Sequence, residues 1–308
     1  MSPPGRESPQ PPLVAAVVVT FNSAGVVGSL LDSLPAAFAG QSYVAVVVDN
    51  GSTDGTVALL MARDDCTLVR AGNRGYAAGI NRGVEEVPGA DLVLVLNPDV
   101  VLEPGSLPPL VHALEQPQVG IAVPRVLEPD GELHRSLRRE PTLWRALGLT
   151  RTRAPRLSEY VSEPASYDAE HSVDWALGAV MLVRRSTHDV LGGWDESYFL
   201  YGEETDLCLR ARDQGILTWY VPSSVVVHVG GGSGRTAEMH AMQILNRVRL
   251  YRRRHRLPAS VAYWVLAVLS EISWIARGSS RSRTAVRALL QPSARPPAVG
   301  LSHCWLPG

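Results

Sequence analysis

The chain has 308 residues, 45% of them hydrophobic, and a formal net charge of −1. That is enough for one large α/β domain with additions or for two small domains with a sizeable core, and the balanced charge excludes a global field suited to nucleic acid. All 29 basic residues are arginine, and the three cysteines, Cys66, Cys208 and Cys304, form neither a disulfide framework nor a zinc pattern, so a reducing compartment is the simpler reading.

Residues 1–12 are polar and proline-rich without an apolar core, which predicts a disordered lead rather than a secretory signal. Three apolar runs follow, 13-LVAAVVV-19, 43-YVAVVV-48 and 91-DLVLVL-96. Near-continuous runs of this kind predict strands buried on both faces, as in a parallel sheet. Helical patterns at about 24–34, 54–62 and 76–87 separate them, so the chain alternates strand and helix and predicts right-handed βαβ units. Each run ends in polar residues: Thr20-Phe21-Asn22, Asp49-Asn50-Gly51-Ser52 and Asn97-Pro98-Asp99. In open α/β sheets ligands sit outside the carboxyl ends of the strands, so these three ends point at one crevice.

A helix is predicted near 107–114 and a strand at 120–126. Residues 130–172 are rich in arginine and proline and read as an excursion or flap. Strand-like sequence returns at 173–183, a helix is predicted from Glu203 to Asp213 with Gly215 as its stop, and final strands at 217–221 and 225–229. The 13–240 region thus reads as one α/β domain, followed by a basic, amphipathic helical segment at 241–290 and a flexible tail at 291–308. In that segment, 247-RVRLYRRRHR-256 holds six arginines and 259-ASVAYWVLAVLSEISWIA-276 is mostly apolar. The apolar run is short for a span and carries Ser270, Glu271 and Ser273. Two readings stand: a helix lying in a membrane interface with the arginines on anionic headgroups, or an ordinary helix packed on the domain.

Several short stretches carry possible chemistry, each beside a plainer reading. At 49-DNGSTDGT-56, Asp49 can accept hydrogen bonds from a nucleoside, or the stretch is a polar turn capping the next helix. In 72-GNRGYAAGINRG-83 glycines 75, 79 and 83 recur every fourth residue, which permits close backbone approach to a sheet or to a pyrophosphate; Arg74 faces phosphate or solvent. Asn97 and Asp99 share one side of a strand end and suit a hard divalent cation, or form an Asx-Pro turn. His228 interrupts an apolar strand before the Gly230–Gly234 loop and is a structural residue or a metal ligand beside a phosphate-closing loop. The stretch 194-WDESYFLYGEETDLCLRARDQG-215 holds six carboxylates, three of them within four residues: a solvated helix start, a metal site or a catalytic base.

In this order, 17-VVVTFNS-23, 48-VDNGSTD-54, 73-NRGYAAGIN-81, 97-NPD-99, 175-WALGAVMLVRR-185, 192-GGWDESYFLYGEETDLCLRARDQG-215 and 228-HVGGGSG-234 resemble family 2 glycosyltransferases of the GT-A fold, in particular the rhamnosyltransferase-like branch. The resemblance covers residues 13 to about 235. It implies a Rossmann-like, mostly parallel central sheet flanked by helices, here with a C-terminal membrane-associating helical extension. It also implies a nucleotide-diphosphate sugar donor, a divalent cation (Mg2+ or Mn2+) and inversion at the anomeric carbon. Thr20, Asn22, Asp49 and Ser52 match nucleoside-contacting positions, and Asn73, Gly75 and Asn81 the donor loop. Asn97 and Asp99 stand in for the family's DxD motif, with Asp99 carrying most of the metal role and His228 near the diphosphate. Relatives place an aspartate base where this chain has Glu204; Glu203 is the fallback, and Asp206 orients the helix start or, with Trp194, meets the acceptor. Tyr198 and Phe199 line an acceptor sugar or pack in the core. The helix N-terminus is expected to lower the Glu204 pKa. A glycan or polyprenyl-diphosphate-linked acceptor at the inner membrane face suits the C-terminal segment, and Arg138 and Arg139 face its diphosphate or solvent. Against this stand a transferase for a soluble acceptor and a non-catalytic nucleotide-sugar-binding protein; a nicotinamide oxidoreductase is disfavoured because no glycine-rich turn follows the first strand.

Overall fold

The computed structural model describes residues 11–149, 154–230 and 236–297. Of the expected lead, residues 1–10 lie outside the described residues, as do 298–308 of the expected tail and the Gly231–Gly234 part of the glycine-rich loop.

Eleven strands form among the described residues: β1 (Val14–Thr20), β2 (Tyr43–Asp49), β3 (Thr67–Arg70), β4 (Leu92–Leu96), β5 (Val100–Leu102), β6 (Val119–Leu127), β7 (Leu137–Arg138), β8 (His171–Val173), β9 (Trp175–Ala176), β10 (Val180–Arg184) and β11 (Leu217–His228). The helices are α1 (Val27–Phe38), α2 (Thr56–Met61), α3 (Tyr76–Glu85), α4 (Leu107–Ala113), α5 (Arg185–Leu191), α6 (Glu203–Asp213), α7 (Ala237–Arg254), α8 (Leu257–Ala276) and α9 (Ser280–Leu290). Nine strands make one sheet in the order β3-β2-β1-β4-β10-β6-β11-β5, with β8 also on β11; β7 and β9 pair as a separate ribbon. Strands β1–β4, β6 and β11 run one way, and β5, β8 and β10 the other. The expected mostly parallel α/β architecture is therefore present.

The alternation along β1 shows why its sequence is continuously apolar. Val14, Ala16 and Val18 pack under α1 and α4, while Ala15, Val17 and Val19 pack toward α3 and α6. A strand covered on both faces has no solvent side to make polar. The every-fourth glycines of α3 answer to the same crowding. A Cβ on Gly79 would lie 2.7 Å from Val19 Cγ1, and one on Gly83 would lie 2.4 Å from Val17 Cγ1. These two glycines seat the helix on the sheet.

Some expectations change. The two final strands are one, β11, with a register shift between Val221 and Val225. The 173–183 run divides among β8, β9 and β10, turning at Gly178. Residue 240, expected as a domain limit, falls inside α7.

The C-terminal helices α7, α8 and α9 share a core of Leu245, Val248, Tyr263, Ala267, Ala285 and Leu289. In α8 the polar residues face this core. Ser260 and Glu271 are buried, Glu271 Oε2 lies 2.8 Å from His240 Nε2, and Ser270 donates to Leu147 O. Leu257, Val261, Val265, Leu269 and Ile272 form an outward stripe, each 37–52% exposed. By length and composition α8 could cross a membrane.

Candidate active site

The carboxyl ends of β1, β2 and β4 meet at one edge of the sheet, and His228 at the end of β11 joins them. At β1 and β2 the residues tie two turns together. Thr20 Oγ1 donates to Asp49 Oδ1 at 3.1 Å, Ser52 N donates to Asp49 Oδ2 at 2.9 Å, and Asn22 N donates to Ser52 Oγ at 2.8 Å. Asn22, held at φ 54°, accepts from Thr53 N at 2.8 Å. Asp49 is buried and its oxygens are engaged within the turn, so it acts on this edge by shaping it.

The donor-loop residues are also structural at close range. Asn73 Oδ1 caps Gly75 N. Gly75 has φ 102°, and a Cβ there would lie 2.4 Å from Phe199 O, which also accepts from Tyr76 N at 2.8 Å. Asn81 holds both backbone groups of Trp194, accepting from its N at 3.0 Å and donating to its O at 2.9 Å. Arg74 is mostly exposed and pairs with Glu196. The loop after β3 is thus locked to the 194–199 stretch that precedes α6.

A cavity of about 250 Å3 opens beside these elements, lined by Asn97, His228, Glu203, Glu204, Trp194 and Arg138 among others. Tyr76 donates to Asn97 Oδ1 at 2.7 Å. Burial raises the Tyr76 pKa well above normal, and the charges of Glu203, Glu204 and Asp99 add to the shift. Asp99 Oδ1 lies 3.2 Å from His228 Nε2, and this hydrogen bond raises the histidine pKa. That spacing matches two cis ligands about 2.1 Å from one hard cation, which would sit ~3 Å apart. Both side chains are about a fifth exposed, which leaves room for phosphate and water. No cluster of three or more His, Cys, Asp or Glu exists among the described residues; Asp99 and His228 are the pair that could offer a cation protein ligands.

Glu203 and Glu204 open α6 after Gly202, whose φ is 99°. Glu204 Oε2 accepts from Gly202 N at 3.2 Å, and a Cβ on Gly178 would lie 3.2 Å from Glu204 Cβ. The expected lowering of the Glu204 pKa does not occur: burial raises it, outweighing the helix-start amides and Arg138. Desolvation of a carboxylate here exceeds the dipole's help, which amounts to about 0.3–1 kcal/mol at an exposed helix end. Glu203 is pushed up further, by burial and then by the charge of Glu204, and its Oε2 has no hydrogen-bond partner. Asp206 is buried in an ion pair with Arg210 at 2.6 Å that braces α6, and it is not among the residues lining the cavity. Tyr198 is fully buried under the Arg249 guanidinium, a core position, while Trp194 is buried at the cavity wall.

The arginines of 247–256 serve this site more than a surface. Arg249 donates to Ser197 O at 2.7 Å, Arg253 pairs with Asp195, Arg247 with Glu159, and Arg254 with Asp213. Asn246 donates to Leu200 O and Tyr201 O at 2.9 Å. Four of the six arginines expected at headgroups therefore bind the protein itself. Sequence reading missed this clamp, and with it Tyr76, His134 and Tyr160. Tyr76 had a signal, an aromatic directly after the strained Gly75; the clamp had none, because its partners lie 41 to 88 residues away.

The sheet thus presents its ligand edge and the acidic start of α6 to one cavity. Residues 11–252 match the family described as "Glycosyltransferase like family 2", and the chain belongs to that family. It is 34% identical over 305 residues to the N-acetylglucosaminyl-diphospho-decaprenol L-rhamnosyltransferase of Mycobacterium tuberculosis, covering 92% of this chain and 96% of that protein. The fold matches that of GalNAc-T7 solved with UDP, GalNAc and Mn2+ (TM-score 0.62, 14% identity, 91% of this chain and 55% of that one). It also matches the mannosyltransferase PcManGT from Pyrobaculum calidifontis in complex with GDP-Man and Mn2+ (TM-score 0.57, 18% identity, 96% of this chain and 82% of that one).

Proposed function

We propose that this glycosyltransferase moves rhamnose or a related hexose, with inversion, from a nucleotide-diphosphate sugar to a hydroxyl of a polyprenyl-diphosphate-linked sugar. The observation that carries the reading is the Glu203–Glu204 pair at the start of α6, facing a cavity that also holds Asn97 and His228. The name of the mycobacterial relative supports the acceptor class.

In this reading Thr20, Asn22, Asp49 and Ser52 form the turn against which the nucleoside lies. Asn73, Gly75 and Asn81 act indirectly, by fixing the loop that carries Tyr76. Asp99 and His228 would hold a divalent cation, Mg2+ or Mn2+, with Asn97 beside them; when bound, the ion offsets charge growing on the leaving diphosphate. Glu204 takes the proton of the acceptor hydroxyl as its oxygen bonds to the anomeric carbon. The bond from that carbon to the nucleoside diphosphate breaks on the opposite face, and the diphosphate leaves with the electron pair. Glu203, with its raised pKa and unpartnered oxygen, stays protonated and keeps a second negative charge from opposing the base.

The outward stripe of α8 supports work at the cytoplasmic face of a membrane. Residues 256–297 contain six arginines and a single acidic residue, the buried Glu271, so the exposed charge around the stripe is positive. A helix apolar toward the outside and flanked by cations suits an anionic bilayer surface.

The test is Glu204→Gln, with donor binding followed by thermal shift beside turnover. Turnover should fall by about 10²–10⁴-fold with donor binding kept. In the wild type a base must lose its proton to work, and burial raises this carboxyl, so the acidic limb of kcat should lie above the ordinary glutamate value of about 4.3. Near-normal turnover of the variant would remove Glu204 as the base.

A further inference from the structure

We infer that Arg138 and Arg247 form an anion subsite for the diphosphate of the acceptor, an inference that rests on the acceptor class proposed above. Arg138, in β7, is 7% exposed and lines the same cavity as Glu203, Glu204 and His228. It makes no ion pair with a carboxylate among the described residues. Its Nη1 donates to Arg135 O at 2.5 Å and Leu137 O at 2.9 Å, and its guanidinium lies 3.9 Å from the centre of the Tyr160 ring.

The neighbouring arginines are treated differently. Arg139 pairs with Glu163, Arg210 with Asp206, Arg212 with Glu140, and Arg254 with Asp213. Of the carboxylates in the cavity wall, Glu159 is bound to Arg247, and Glu204 feels the charge of Arg138 without pairing with it. The buried Arg138 is thus left without an ion pair beside the half-buried Arg247, whose Nε is buried and has no hydrogen-bond partner. Burying a cation without a counter-charge is costly, and burial lowers the Arg138 pKa accordingly. The cost is returned when an anion arrives, and guanidinium forks match phosphate oxygens.

The placement also fits the order of groups in a lipid-linked sugar. Arg247 borders the main cavity and a smaller one against Ala267, Ser270 and Glu271 of α8. From Glu204 through the two arginines the wall leads to the inward face of α8, whose opposite face carries the apolar stripe. The acceptor presents a sugar hydroxyl, then a diphosphate, then an apolar chain.

The experiment uses the full-length protein, one nucleotide sugar and two acceptors bearing the same sugar: a short-chain polyprenyl diphosphate and an alkyl glycoside without phosphate. The wild type should show a lower KM for the diphosphate acceptor. In Arg138→Gln that advantage should shrink by about tenfold or more, with kcat on the same acceptor changing far less, and Arg138→Lys should restore part of it. Circular dichroism and donor thermal shift report whether each variant is folded. Equal losses on both acceptors, a loss in kcat with an altered acidic limb, or an unchanged KM ratio in Arg138→Gln would each overturn the subsite while leaving the acceptor class standing. No transfer by the wild type to the diphosphate acceptor would overturn the acceptor class and the subsite together.

Discussion

β1 and α8 are both rich in aliphatic residues, yet they dispose of them in opposite ways. In β1 every side chain from Val14 to Val18 is removed from solvent, shared between two helical layers. In α8 the serines and the glutamate turn inward, and five large aliphatics turn outward. A soluble helix normally places its apolar stripe on the core. The inversion teaches that the protein interior is not what selected the apolar face of α8, whereas it is the whole explanation for β1. Glu203 departs from the rule in the other direction, as a carboxyl buried without a partner.

The comparison can be broken at each of these places. The largest effect is expected at the sheet: Gly83→Val puts a branched side chain where even a Cβ would lie 2.4 Å from Val17 Cγ1. Overpacking of this kind should cost about 1–3 kcal/mol, seen as a lower Cm in urea, with vesicle binding intact once folded. Next is Val265→Glu with Leu269→Glu. These exposed positions should move Tm little, within about 0.5 kcal/mol each, but co-sedimentation with phosphatidylglycerol vesicles should fall by about tenfold or more. Unchanged sedimentation would return α8 to an ordinary surface helix. The smallest effect belongs to Glu203→Gln. A carboxyl whose folded pKa is raised contributes stability that is present below the unfolded pKa and lost as pH rises through the folded value. The variant should therefore gain Tm relative to wild type as pH rises above the unfolded glutamate value of about 4.3, and show no gain below it.

Much of the sheet was legible because doubly covered strands write themselves as unbroken aliphatic runs. β3 was not, since Thr67–Arg70 is a short edge strand with no fully buried residue. β5 was hidden by the Asn97-Pro98-Asp99 turn directly before it, and β11 was read as two strands because Pro222, Ser223 and Ser224 sit at its irregularity. At the site, Asn97, His228, Glu203 and Glu204 come to one cavity as their order along the chain implied. What stayed hidden was the difference between touching a ligand and holding a loop. Asp49, Gly75 and Asn81 carry the right residue types at the right spacing, and their nearest partners are nonetheless the protein's own turn hydroxyls and backbone. The direction of the Glu204 shift was equally hidden, because it depends on how deeply α6 is covered.

The hold of α7 on the loop before α6 has a consequence for how the protein is made. Asn246, Arg249 and Arg253 reach back 45 to 58 residues to fasten residues 195–201. A nascent chain that has emerged only as far as residue 235 already carries the sheet, the acidic pair and His228, but nothing to pin the loop that aims them. Synthesis of the α7 turn bearing Arg253 then completes the site, so competence arrives late in translation, just before α8 emerges. Activity thus begins only when the helix with the outward apolar stripe is about to exist.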